Sequence, residues 1–498
     1  MLFWGSGTKR WAVALVAAML AGSTGTSAAR QPSREELEER VRRLEQIIRD
    51  AGLDQPAARK AVRSSGTTGG KPAVVAAEPA PNKEEVEALV EEKLRKQKVL
   101  AGWKDGFFLE SPNGDFKLKL RGYAQADARV FPLEEGDTGT DSFFLRRVRP
   151  IFEGTVYKYF DFRIMPDFGQ GQTVLQDAYA RVNYWPYAQL TAGKFKSPLS
   201  LERLQSGSEL TFIERSISSG NIAPNREVGV ALGGSVLDER LSYMIGGFNG
   251  SFDGGSNDGD TTSDKDVQGR VFAEPFKGTD AKPLRGFGIG FAGTYGQSKA
   301  ESIGGLQYKT VGRSNFFKFD TPTGTVVNFD GTRMRWAPQA YWYWGPFGMM
   351  GEYITSDTDL DKVVTPKTGA PTHTNGSLRS EGWFVQASYV LTGEDASYKQ
   401  VVPINNFDPA NGRFGAFELA ARASEVDVDD EAFTKGFAKE GAATKNAMAY
   451  TGGLNWYLNK NFKLQLNYEH TDFDKEITFG KQARGSEDVF ITRFQISY

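Results

Sequence analysis

Lys117, Lys119, Arg121, Tyr123, Gln125, Asp127 and Arg129 occupy every second position of the segment KLKLRGYAQADARVF. Leu118, Leu120, Gly122, Ala124, Ala126, Ala128 and Val130 stand between them. A strand has a side-chain period of two, so this segment has one cationic face and one apolar face. Arg146, Arg147 and Arg149 follow in FFLRRVR. Two adjacent arginines cannot both face an apolar surface at low cost, so at least one of Arg146 and Arg147 points towards water or lies at a rim. Guanidinium groups lined along a narrow, poorly hydrated passage attract and coordinate anions, phosphate especially, because the fork matches two oxygens at once. Lys117, Lys119, Arg121, Arg129, Arg146 and Arg147 are therefore the candidate anion-binding residues. The competing reading is a rim of basic groups facing polar headgroups.

A second charged stretch runs from Lys194 to Arg215 and is too long and irregular for a turn. It sets Lys194, Lys196, Arg203 and Arg215 against Glu202, Glu209 and Glu214. Folded into a lumen, such a loop sets the constriction and a transverse field; folded outwards, it caps the mouth.

Other motifs carry little. Gly288–Gly293 matches GxGxxG, but it sits in a Gly/Phe strand pattern with no helix after it, so a dinucleotide site is not expected. Asp253, Asp258, Asp260, Asp264 and Asp266 do not follow calcium-loop spacing and read as a solvated acidic loop. The two histidines are His373, in an expected loop, and His470, at a strand end. Neither has a partner visible in the sequence, which leaves no material for a Ser/His/Asp triad or a two-His metal site. There is no cysteine, so thiol catalysis, thiolate metal sites and disulfides are excluded. No catalytic residue, cofactor or metal is expected.

The elements that would hold the basic residues are strands. Val489 to Tyr498 (VFITRFQISY) puts Phe490, Thr492, Phe494, Ile496 and Tyr498 on one face and Ile491, Arg493, Gln495 and Ser497 on the other. The same alternation recurs around Trp383–Leu391, Phe417–Ser424, Tyr450–Leu458 and Phe462–Glu469, with aromatics such as Trp336, Trp342, Trp344, Tyr184, Trp185 and Trp456 clustered near strand ends. Strands with lipid on one side, water on the other and aromatic girdles at the ends make a membrane β-barrel, which has no free edge. From Trp103 to Tyr498 there is room for roughly sixteen to eighteen spanning strands. A barrel that wide encloses a water-filled channel. The low mean hydropathy of −0.44 agrees, since only alternate residues face lipid. A net charge of −2 gives no bulk attraction to nucleic acid. Residues 249–266, 360–379 and 427–445 read as external loops.

The beginning of the chain is different. Lys9 and Arg10 precede the apolar run Trp11–Leu20, and small residues lead to Ala29, the pattern of a secretory signal peptide over residues 1–29. Residues 30–54 form a charged helix with coiled-coil spacing, 55–82 a Pro/Gly/Ala linker and 83–101 a second charged helix, with the barrel occupying 103–498. A solvated single helix is the alternative for 30–54.

Seven ordered pieces resemble the phosphate-selective porins of the O and P type: residues 116–131, 143–155, 177–185, 193–216, 389–395, 414–424 and 452–470. The resemblance implies an all-β transmembrane antiparallel barrel of sixteen strands, a homotrimer in outer-membrane lipid of a Gram-negative bacterium, and a basic lumen passing small anions such as phosphate or polyphosphate. It matches Lys119, Arg146 and Arg147 to pore-lining basic positions and Lys194–Arg215 to the inward constriction loop. Tyr123 departs from the family pattern by replacing a pore arginine, and Ser208, followed by Glu209, by replacing a constriction lysine. Two alternatives remain open: a general, weakly selective porin, and a barrel that tethers the outer membrane to the cell wall through periplasmic N-terminal helices.

Overall fold

A strand with one apolar and one polar face can sit in a bilayer only if all its backbone groups are paired, which requires a closed sheet. The structure, a computed structural model, describes residues 99–498 apart from 133–139, 260–262 and 480–481. The expected signal peptide, first helix and linker lie outside the described residues, as does nearly all of the second helix. Leu100 and Ala101, expected to end that helix, instead open strand β1, Leu100–Trp103, which forms a hairpin with β2, Phe107–Glu110.

The wall begins with β3 (Lys117–Val130), β4 (Ser142–Val156), β5 (Phe160–Asp167), β6 (Val174–Trp185) and β7 (Ala188–Lys196). It continues with β8 (Arg226–Val236), β9 (Leu241–Phe248), β10 (Asp266–Ala273) and β11 (Gly286–Ser302). A small separate hairpin, β12 (Gln307–Lys309) with β13 (Asn315–Lys318), follows. The wall resumes with β14 (Thr325–Trp344), β15 (Phe347–Val364), β16 (Thr372–Val390), β17 (Ala416–Val428), β18 (Asn446–Tyr457), β19 (Phe462–Phe479) and β20 (Gln482–Ser497). Each wall strand pairs antiparallel with the next, and β20 pairs back onto β3 from Phe490↔Val130 to Ser497↔Tyr123, closing a barrel of sixteen strands. On the same edge of β3, β2 pairs below that seam, with Phe107 opposite Leu120 and Glu110 opposite Lys117.

Side chains alternate as the sequence pattern requires. Phe490 and Phe494 are exposed on the outer wall, whereas Ile491, Arg493 and Gln495 are buried inside. Ala126 and Val130 are on the outside of β3, and Tyr123, Gln125, Asp127 and Arg129 inside. The GxGxxG stretch is an ordinary part of β11, paired with β14.

Most connections at one end are short, among them 157–159, 186–187, 345–346 and 458–461, while 274–285 and 391–415 at the same end are longer. Those at the other end are mostly longer, the pattern of periplasmic turns and extracellular loops. Strands β5, β9 and β10 have 8 residues each, close to the minimum that crosses a bilayer, while β14, β15, β16 and β19 have 20, 18, 19 and 18 and rise well above it. This corrects the expectation for 360–379: residues up to Val364 and from Thr372 are paired strand, and only 365–371 is loop. Above the membrane the outer face of a strand meets water instead of lipid, so the hydropathy alternation that reveals a strand fades, although Leu360 and Leu378 still pack inside. His373 accordingly lies on β16 and contacts Asp361 at 2.7 Å, and His470 lies between Asp488 and Asp472 at 2.8 and 2.9 Å. Both histidines thus have partners, contrary to expectation. His373 meets one carboxylate on the neighbouring strand and His470 meets two, one on the neighbouring strand and one on its own, and no cluster of metal-binding side chains forms among the described residues.

Candidate functional site

The residues that narrow the lumen come from segment 197–225, between β7 and β8. It carries two short helices, α1 (Leu201–Leu204), capped by Ser200, and α2 (Ile217–Asn221), capped by Ser216. A buried carboxylate organises it: Glu202 accepts from Ser216 N, Ser216 Oγ and Ser219 Oγ and faces Arg422 at 3.4 Å. The wall then pins the segment through its backbone. Gln339 donates to Leu199 O, Gln125 to Gly207 O, Gln495 to Ser208 O, Lys463 to Leu210 O, Asn455 to Thr211 O and Arg493 to Ile213 O, at 2.6–3.0 Å. Gly207 lies so close to the Tyr123 hydroxyl that a Cβ there would sit 2.8 Å from it. The expected Lys194–Arg215 loop is therefore an inward loop, shifted: Lys194 and Lys196 belong to β7, and the loop runs on to 225.

A second inward segment, 303–324, was not expected. Its hairpin β12–β13 packs Tyr308, Phe316, Phe317 and Phe319 against Ile217 and Ile222 of the first segment. Asn221 and Lys309 exchange two hydrogen bonds, at 2.8 and 2.9 Å. The acidic stretch after β9 also dips inside: Asp253 accepts from Arg335, Ser356 and Tyr308 at 2.8–2.9 Å. The run NFFKF (315–319) carried the available signal, since such an aromatic cluster does not belong in a solvated loop.

Two chambers flank the constriction segment. The inner one, about 630 Å³, is lined by Lys119, Arg121, Arg163, Arg181, Lys196, Arg226, Lys399 and Lys460 against the side chains of Asp105, Asp177 and Glu209. The outer one, about 340 Å³, is lined by Arg146, Arg147, Arg203, Arg215, Lys309 and Arg313 against Glu214 and Asp253. Cations outnumber carboxylates in both. A larger groove of about 770 Å³ lies on the apolar outer wall among Phe143, Leu145, Phe417, Leu454 and Phe494, outside the lumen.

Arg146 and Arg147 both turn inward. The register of β3 with β4 passes from Gln125↔Arg147 to Ala126↔Leu145, so Arg146 is an extra, bulged residue. A bulge places two neighbouring side chains on one face. Both reach Glu214: Arg146 grips it with Nε and, at 3.1 Å, Nη2, while Arg147 Nη2 lies at 3.2 Å. Arg493, bonded to both oxygens of Asp127 at 2.7 Å, stands 3.6 Å from the same Glu214 carboxylate. Burial pushes the Glu214 carboxyl up, but Arg146, Arg147, Arg313 and Arg493 outweigh it and hold it well below the usual range.

Not all of the other expected residues line the chambers. Lys119 and Arg121 line the inner one, and Arg121 pairs with Glu153 at 2.8 Å. Lys117 lies at the inner end of β3, 3.4 Å from Glu110, and lines neither chamber. Arg129 is buried, stacked 5.0 Å from the Phe144 ring centre, with Nε and Nη2 unbonded among the described residues. Lys194 bonds Leu175 O and Asp258, away from both chambers. Lys196, Arg203 and Arg215 donate to backbone carbonyls, including those of Leu204, Ser219 and Glu202 at 2.8, 2.9 and 3.0 Å. A carbonyl orders a cation without cancelling its charge. Burial, then Arg215, lowers the Arg203 pKa to about 9, and repulsion from Arg146, then burial, lowers that of Arg313 to about 10. Arg313, Lys309, Arg493 and Arg422 were missed as site residues because nothing local in the sequence says which loop folds inward or which inward arginine a loop will meet.

A closed wall with an apolar outside, an inward-folded constriction and two water-accessible, net-cationic chambers defines a membrane channel of the β-barrel class. The chain matches the family described as phosphate-selective porin O and P over residues 116–498, and it belongs to that family. It is accordingly an outer-membrane porin of the Gram-negative type. Porin O of Pseudomonas aeruginosa is 24% identical over 421 residues, covering 79% of this chain and 91% of that protein. Among solved structures, the outer-membrane channel DcaP of Acinetobacter baumannii is 11% identical with a TM-score of 0.48, covering 80% of this chain and all of that one. An anion-selective porin from Comamonas acidovorans is 9% identical with a TM-score of 0.44, covering 77% of this chain and 100% of that one.

Proposed function

We propose that this porin passes small anions by passive diffusion, with oxyanions such as phosphate favoured, and that it works as a homotrimer. The observation that supports this best is the excess of cations on both sides of the constriction, six against two outside and eight against three inside. An anion moving through either chamber lowers its energy, and a cation raises it. Lys119, Arg121, Arg146 and Arg147 contribute to that field, with Lys196, Arg203, Arg215 and Arg313. Many other inward cations are neutralised in place: Arg149 by Asp167, Arg226 by Asp177, Arg333 by Asp266 and Arg493 by Asp127. That pairing favours the second reading, a porin with only mild anion preference. The test is single-channel recording in a planar bilayer, with reversal potential read in a KCl gradient and inorganic phosphate titrated in. An anion-selective current blocked by low phosphate supports the first reading, a weakly selective current indifferent to phosphate the second, and a cation-selective current refutes both.

A further inference from the structure

Glu214 occupies the place an incoming anion would want. Its two oxygens meet the Arg146 fork side-on, the geometry by which a guanidinium binds a free carboxylate or phosphate. Arg147 and Arg493 flank the same carboxylate, so three guanidiniums surround one loop side chain. We propose that Glu214 is a tethered stand-in for the permeant ion: it fills an oxyanion site built by Arg146, Arg147 and Arg493, and soluble oxyanions cross the constriction by displacing it. The inference rests on the anion-channel reading above and adds to it the exchange step.

Three observations support exchange over a fixed structural tie. The constriction segment does not depend on Glu214 for its position, since its backbone is pinned from Leu199 to Ile213 by wall side chains and its turn is organised by Glu202. Next, the cradle opens on the outer chamber, where Arg146, Arg147 and Glu214 all line the wall. Finally, the displaced carboxylate has somewhere to go. Arg313 lines the same chamber and is near enough to interact electrostatically with both Arg146 and Glu214, and its side chain has no bonded partner among the described residues. Exchange of one oxyanion for another never leaves the guanidiniums bare, which avoids the cost of an uncompensated buried charge. A tethered competitor also weakens apparent affinity, because a free ion must outcompete a group held at high effective concentration. Weak binding suits a channel, where the ion must leave as readily as it enters.

The experiment compares Glu214→Gln, Glu214→Asp and Glu209→Gln with the wild type, reading the inorganic phosphate concentration that halves the chloride current. Glu209→Gln removes a carboxylate from the inner chamber and reports the effect of bulk charge alone. Removing the competitor should lower the half-blocking concentration in Glu214→Gln by about tenfold or more, the scale of one bidentate contact. Glu214→Asp, retracted by one methylene, should fall between. A shift no larger than that of Glu209→Gln overturns the inference, and the same comparison made with Glu214→Asp decides it if Glu214→Gln cannot be recovered folded. Currents that are not anion-selective in any of the four proteins and that phosphate never blocks would instead overturn the anion-channel reading itself.

Discussion

Replacing Arg313 by Gln isolates the contribution of one unpaired cation to selectivity. Arg313 sits at the tip of β12–β13 with φ 78°, and Gln is no worse suited to that backbone than Arg. Its side chain makes no bond among the described residues whose loss would disturb the fold. A sphere the size of the 340 Å³ chamber has a radius of about 4 Å, so an ion at its centre passes roughly 5 Å from a wall charge. In water that separation is worth roughly 0.8 kcal/mol per unit charge, and screening at about 0.1 M salt reduces it to roughly 0.5 kcal/mol. Neutralising Arg313 removes this attraction for an anion and the equal repulsion for a cation. The preference for anions should then fall by about 1 kcal/mol, or roughly fivefold. The assay is the reversal potential of single channels in a KCl gradient, with conductance checking that the pore is intact. An unchanged reversal potential at unchanged conductance would refute the assignment of selectivity to the outer chamber.

Three more outcomes are expected. Arg493→Met strands the buried Asp127 carboxylate and should cost roughly 3–5 kcal/mol, seen as a lower thermal unfolding temperature in detergent; no change would contradict the pairing. Leu466→Arg puts a charge on the lipid face and should cost roughly 2–4 kcal/mol if the residue is near mid-bilayer, measured by urea titration in vesicles, where a wild-type curve would count against the outward placement. Glu214 has a folded pKa depressed below the ordinary 4.5, so its contribution is complete above that value and is lost only as pH falls through the lower folded value. Open-channel noise should therefore stay constant from neutral pH down past 4.5, and a rise in noise above that point would show that the tie is weaker than drawn.

The barrel was legible because its wall is repetitive. The alternation survives in the structure at Phe490–Gln495 and from Tyr123 to Val130, since a period of two is local and the bilayer enforces it. The extracellular reach of β15 and β16 was not legible, because polar residues dominate both faces there and only Leu360 and Leu378 pack into the inner aromatic cluster. Within the site, the inward direction of Lys119 and Arg121 followed from parity, whereas adjacency alone promised only that one of Arg146 and Arg147 turns inward, and it is the bulge that turns both. Arg493 was visible as inward, but its partners Asp127, Ile213 and Glu214 lie hundreds of positions away or on a loop whose path depends on the assembled wall. Arg313 belongs to a hairpin whose inward turn depends on aromatic packing against another loop.

The inward segment is held largely by bonds to its peptide carbonyls, and every residue type supplies a carbonyl. Side chains along it, such as Ser206, Ser208 and Glu209, can therefore be exchanged without releasing the segment from the wall. Position and preference are separately heritable in such a molecule. The scaffold can stay fixed while successive substitutions on one short stretch of chain retune which solute is admitted.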